Sequence, residues 1–84
     1  MRAVNYSREA LRSLRRMPAN VAATIRSKML QYAADPAALA NNVAALKGET
    51  GILRLRVGDW RVLFSEDGTV ISVIRIAPRG SAYD

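Results

Sequence analysis

The chain has 84 residues, half of them apolar, and carries 13 Lys and Arg against 7 Asp and Glu for a net charge of +6. That length supports one core and hence a single domain over residues 1–84, and the apolar content argues against a disordered tail. Cysteine and histidine are absent, which excludes a disulfide framework, removes the imidazole general base, and leads us to expect no metal site and no cofactor.

Ala3-Val4-Asn5-Tyr6 is short, partly alternating and followed by a good helix cap, so it reads as a first strand. Ser7 caps a helix through about Met17, with Leu11 and Leu14 on its apolar stripe and Arg8, Arg12, Arg15 and Arg16 mostly outside it. Pro18 ends that helix. Asn20 is placed to cap a second one to about Ala34, on which Val21, Ile25, Met29 and Tyr32 form one buried face, and Asp35-Pro36 stops it. The short link favours an antiparallel helix pair lying on one side of a sheet. Residues Ala37 to Thr50 are Ala-rich, interrupted by Asn41-Asn42 and closed by Leu46-Lys47-Gly48, and are expected to form a connecting loop with one helical turn.

The stretch from Leu53 to Phe64 is the most regular of the chain, two alternating apolar and basic runs joined by Gly58-Asp59. Period-2 alternation across a two-residue Gly-Asp link predicts a tight hairpin. Val57 then faces Trp60, Arg56 faces Arg61, Leu55 faces Val62, and Arg54 faces Leu63. One face collects Leu53, Leu55, Val57, Trp60, Val62 and Phe64, so Trp60 is expected in the core. The other collects Arg54, Arg56 and Arg61 beside Leu63. Glu66-Asp67-Gly68 marks a second turn, and Thr69 to Ile76, apolar on both faces, suits an interior strand. If Ser65 pairs with Thr69, then Ile71, Val73 and Arg75 join the arginine face, and a one-residue slip reverses this. A turn-rich tail carries Arg79 and Tyr83. The expected fold is α+β: a short N-terminal strand, an antiparallel helix pair, then a three-stranded antiparallel meander completing one sheet.

Like charges facing each other across a strand pair cost up to ~1 kcal/mol. A solvated face paired with the chain's acids is one reading of the three arginines, and a polyanion-binding face is the other. Only Lys28 and Lys47 are lysine, and the arginine bias suits bidentate phosphate or carboxylate recognition. No apolar run approaches the ~18 residues of a membrane span and the N-terminus lacks a signal-peptide core, so a cytoplasmic protein without membrane partners is expected.

The order of strand, helix pair, meander and terminal Arg-x-x-x-Tyr resembles the RelE/ParE toxin superfamily of type II toxin–antitoxin systems. The residues carrying the resemblance are Leu46-x-Gly48, the block Leu53 to Phe64, and Arg79 with Tyr83. The resemblance implies a RelE-like fold and, for the RelE-like branch, a metal-independent endoribonuclease (mRNA interferase) that cleaves translated mRNA at the ribosomal A site and inhibits translation. The ParE-like branch instead poisons DNA gyrase, and a non-catalytic relative that only binds antitoxin or RNA is a third reading. Retention of Arg61, Arg79 and Tyr83 together favours the ribonuclease branch. Carried over by position, Arg61, Arg79 and Tyr83 are the catalytic candidates, while Arg54, Arg56 and Lys47 are candidates for RNA binding. In that chemistry the RNA 2′-oxygen attacks the adjacent phosphate, arginines stabilise the added charge, and Tyr83 acts as acid or base or stacks on a base. The chain departs from the best-known pattern in having arginine at 54 and 56 instead of lysine, a shorter stretch from Arg79 to Tyr83, and no histidine. A cognate antitoxin that covers the arginine face in a hetero-oligomer is the implied protein partner.

Overall fold

The computed structural model describes residues 1–80. Strand β1 (Ala3–Tyr6) leads into helices α1 (Arg8–Arg16) and α2 (Ala19–Ala34), followed by a 3₁₀ helix (Pro36–Asn42) and strands β2 (Val43–Ala45), β3 (Leu53–Val57), β4 (Trp60–Glu66) and β5 (Val70–Pro78). The strands form one sheet in the order β1-β5-β4-β3-β2, with β1 parallel to β5 and the remaining pairs antiparallel. The expected α+β architecture is observed, and the apolar β5 lies inside the sheet.

Both helices cover one face of that sheet. Ala10, Leu14 and Met17 of the first helix region join Ile25, Met29, Tyr32 and Ala33 of α2 in a single core with Leu55, Val62, Phe64, Ile71, Val73 and Ile76. Fully burying side chains of this size contributes roughly 1.5–3 kcal/mol each. The Tyr32 and Phe64 rings meet edge to face at 5.0 Å, and Trp60 and Val57 pack against the margin of the core. The Arg26 guanidinium of α2 lies 5.1 Å from the centre of the Tyr6 ring, tying the helix to β1.

Three local expectations are corrected. Helix α2 is entered from Pro18 rather than Asn20: it begins at Ala19 without a side-chain cap. The Pro18 carbonyl accepts the amides of Val21 and Ala22, each at 3.0 Å, so backbone bonds do the work assigned to Asn20. The segment from Ala37 to Thr50 is more than a loop with one turn. It holds most of a 3₁₀ helix whose Leu39 is buried, and then β2, which adds a fifth strand by pairing Val43 with Leu55 and Ala45 with Leu53. Three residues are too few to display an alternation, and alanine is a weak strand former.

The third correction concerns the register of β5. Ser65 faces Ser72 rather than Thr69, and Ile71 and Val73 lie in the core. Two features produce this. Asp67 Oδ1 accepts the Thr69 amide, the Thr69 hydroxyl and the Val70 amide at 3.0, 3.1 and 2.8 Å, which widens the turn beyond a minimal hairpin. Those bonds hold the Asp67 carboxyl below its ordinary pKa. Further along, Phe64 faces Val73 while Leu63 faces Arg75, so a bulge inserts Ile74 as an extra residue and returns Arg75 to the arginine face. Ser7 secures the bulge. Its amide donates to the Val73 carbonyl at 2.9 Å, its hydroxyl donates to the Ile74 carbonyl at 2.6 Å, and the same oxygen accepts the Ala10 amide at 3.0 Å as the α1 cap.

Ser7→Ala removes the cap and the bulge contact together, and is expected to lower the unfolding free energy by about 1–2 kcal/mol in urea titrations. A second expectation concerns Tyr32, whose hydroxyl donates to Glu66 Oε2 at 2.6 Å. Burial first, then the bond to Glu66 and the nearby carboxylate charge, push the phenol from its ordinary 10.0 up to about 12, with Arg2 opposing the shift. Because the folded value is the higher one, the stabilisation is complete below about pH 10 and is lost as pH rises towards 12. Thermal unfolding of wild type and Tyr32→Phe should therefore converge across that window, and a difference that stays constant with pH would contradict the assignment.

Candidate nucleic-acid interface

Pairing in the central hairpin is the one that the alternation predicts: Val57 opposite Trp60, Arg56 opposite Arg61, Leu55 opposite Val62 and Arg54 opposite Leu63. Gly58 has φ +57°, and no residue other than glycine has a positive φ among the described residues. A positive φ at the first of two central residues is the requirement of a type II′ turn, which matches the twist of a hairpin.

The sheet face away from the helices is divided in two. Towards the base of the hairpin it is apolar. Leu46 and Leu63 are buried there, outside the main core, because the segment after β2 folds over the sheet and is tied by a 2.9 Å bond from the Leu46 amide to the Ile52 carbonyl. Towards the tip it is cationic. Arg54, Arg56, Arg61 and Arg79 line an open cleft of about 330 Å³ together with Asn41, Asn42, Val43 and Ala44.

The four arginines differ in how they are held. Arg56 and Arg79 are exposed, Arg54 is half-buried, and Arg61 is only 7% exposed. Arg61 Nη1 donates to the Gly58 carbonyl at 3.0 Å and the Trp60 carbonyl at 3.1 Å, so its charge is fixed at the inner wall of the cleft. Arg79 follows β5, and its amide donates to the Asp59 carbonyl at 2.7 Å. Arg75 shares the outer face but is turned to the sheet edge, where its Nε lies 3.6 Å from Glu9 of α1. It does not line the cleft.

The structure thus brings together Arg54, Arg56, Arg61 and Arg79. Lys47 is exposed in the turn after β2 and does not line the cleft, and Tyr83 lies outside the described residues. Asn41 and Asn42 were missed as site residues. In the sequence they signal only a break in an Ala-rich segment, whereas the 3₁₀ helix that they end delivers their amides, which both donate and accept hydrogen bonds, to the rim of an otherwise cationic cleft.

A cleft walled by guanidiniums on an open sheet face, on a domain of this topology, meets a family match over nearly its whole length. Residues 4–83 match the family described as ParE toxin of type II toxin–antitoxin system, parDE. The chain belongs to this family. It is a toxin of a type II toxin–antitoxin system within the RelE/ParE superfamily. Among curated proteins none matches the toxin. Among solved structures it is similar to the archaeal RelE–RelB complex of Pyrococcus horikoshii, at 23% identity and a TM-score of 0.78, with 96% of this chain and 98% of that chain covered. It is also similar to the toxin–antitoxin complex RelBE2 of Mycobacterium tuberculosis, at 22% identity and a TM-score of 0.78 over 93% of this chain and 98% of that one. The intact Escherichia coli RelBE complex gives 17% identity and a TM-score of 0.74 over 93% and 96%. At these identities the likeness establishes the RelE-type fold of the toxin. No helix among the described residues is long and apolar enough to cross a membrane.

The cleft is expected to bind simple anions. Inorganic phosphate at about ten times its Kd should stabilise the toxin by roughly 1.4 kcal/mol, read as a raised unfolding midpoint against chloride at equal ionic strength. Replacing Arg54 and Arg56 together by alanine should remove that difference.

Proposed function

We propose that this toxin is an endoribonuclease that cuts messenger RNA during translation, acting at the ribosomal A site in the cytoplasm. The observation that supports this reading best is the convergence of Arg54, Arg56, Arg61 and Arg79 on one open cleft. RNA supplies its own nucleophile. The 2′-oxygen attacks the adjacent phosphorus, the bond to the 5′-oxygen of the next nucleotide breaks, and the products are a 2′,3′-cyclic phosphate and a 5′-hydroxyl. Negative charge builds on the phosphate in the transition state, and guanidiniums converging on it stabilise it.

In this reading the exposed Arg56 and the half-buried Arg54 align the RNA backbone. Arg79 and the fixed charge of Arg61 act at the scissile phosphate, and Asn41 and Asn42 offer amide contacts at the rim. Tyr83, four residues beyond Arg79, is the candidate for proton transfer or for stacking on a base, and Lys47 is an outlying phosphate contact. Arginine stays protonated at neutral pH, so the cleft arginines serve as electrostatic groups and not as bases. A cognate antitoxin is the expected protein partner, a reading supported by the neighbouring structures, which are toxin–antitoxin complexes.

The second reading is inhibition of DNA gyrase without RNA cleavage. The match to a family named for ParE favours it, as does arginine at 54 and 56, where a lysine would offer a tunable amine. The two readings separate on brief induction in cells. New RNA 5′ ends inside translated codons, lost in Arg54→Ala/Arg79→Ala, are expected for the ribonuclease. Intact messages accompanied by gyrase-linked DNA breaks would instead assign the toxin to the gyrase reading.

A further inference from the structure

Arg61 stands apart from the other cleft arginines because it is buried and because its Nη1 bonds to two carbonyls of the hairpin turn. Its Nη1 bridges the Gly58 and Trp60 carbonyls at 3.0 and 3.1 Å. The carbonyl between them, that of Asp59, accepts the Arg79 amide at 2.7 Å. Three successive carbonyls of one turn are therefore engaged by two arginines, one through its side chain and one through its backbone. Trp60 also faces Pro78 across the sheet, so the turn is the last ladder contact before Arg79 leaves β5 for the cleft.

We propose that Arg61, besides placing its own charge at the cleft, is a positioning residue: it locks the Gly58-Asp59 turn, and through the Asp59 carbonyl the locked turn holds Arg79 over the cleft. This rests on the reading of the cleft as an RNA-backbone site. A guanidinium suits the task because its Nη1 lies one bond further from the backbone than a lysine ammonium reaches and carries two N–H groups in a fixed plane for two carbonyls. Without the clamp the turn relaxes, the Asp59 carbonyl moves, and Arg79 loses the anchor that sets its Cα. An arginine acting only as a charge would be replaceable by lysine. One acting through Arg79 would not.

The test uses Arg61→Lys, Arg79→Ala and the double variant, with a short single-stranded RNA methylated at every 2′-oxygen so that it cannot be cut. Arg61→Lys, although it keeps the charge, is expected to weaken binding about tenfold and to reduce the slope of log Kd against log salt by about 0.7, the value of one lost phosphate contact on single-stranded nucleic acid. The double variant should bind no more weakly than Arg79→Ala alone, since the lysine change acts through the residue already removed. Binding by Arg61→Lys at the wild-type level, or losses that add in the double variant, would overturn the proposal. Hydrogen exchange at the Arg79 amide gives a readout independent of RNA. It should accelerate at least tenfold in Arg61→Lys while the amides of Leu55 and Val62 keep their protection, and an unchanged Arg79 amide would overturn the clamp. If the wild-type chain does not bind RNA, the RNA reading fails while the exchange measurement still decides the clamp. If Arg61→Lys does not fold, Asp59→Gly loosens the same turn with every cleft arginine in place and one negative charge removed. Weaker RNA binding by that variant supports the proposal, and equal or tighter binding overturns it.

Discussion

Alternation in a strand has a period of two, so a shift of one residue in the pairing of β3 with β4 would exchange every side chain between the two faces of the sheet. The Gly58-Asp59 turn prevents that shift. With Val57 opposite Trp60, the apolar set Leu55, Val62 and Phe64 enters the core beneath the helices, and Arg54, Arg56 and Arg61 are carried to the opposite face. The core and the cationic cleft are thus two consequences of one register. Arg56 directly opposite Arg61 costs the ribbon up to ~1 kcal/mol, and the turn carbonyls that accept Arg61 Nη1 offset part of that cost.

The second constraint is the bulge at Ile74. Without it, β5 would keep one phase along its whole length, and either Ile71 and Val73 or Ile76 would leave the core. The extra residue lets all three be buried and delivers Ala77 and then Arg79 to the outer face beside Arg61. Ser7 couples this device to the helical layer by capping α1 and bonding the Ile74 carbonyl with one hydroxyl. Helices, bulge and cleft are therefore linked, with α1 and α2 supporting the site from behind and contributing no residue to its lining among the described residues.

Much of this was legible in the sequence wherever a pattern was long enough to be periodic. The hairpin pairing and its arginine face followed from twelve residues of alternation, and the stripe Ile25, Met29 and Tyr32 followed from helical spacing. Legibility ended where backbone geometry outweighed side-chain pattern. Pro18 displaced Asn20 as the entry to α2 because its carbonyl accepts two amides. Strand β2 has three residues and no alternation, and exists because β3 offers it an edge. The sequence left the face of Arg75 dependent on whether Ser65 pairs with Thr69, a pairing that does not occur; Arg75 reaches the outer face through the bulge, where it contacts Glu9 and does not line the cleft. Asn41 and Asn42 became site residues only through the 3₁₀ helix, whose seven residues carry a single buried apolar side chain, Leu39, and so display no period.

The toxin carries a second concentration of positive charge, since Arg8, Arg12, Arg15 and Arg16 are exposed on α1. Under the ribonuclease reading, recognition of a single-stranded RNA falls to the sheet cleft and not to this helix, because in the cleft guanidiniums converge from two strands and the end of a third. The most direct measurement is a titration of the isotope-labelled toxin with a short single-stranded RNA, followed at the arginine Nε resonances. Saturable shifts at Arg54, Arg56, Arg61 and Arg79, with the α1 arginines unmoved, are predicted. Shifts confined to the α1 arginines would contradict the account and make the cleft a face reserved for a protein partner.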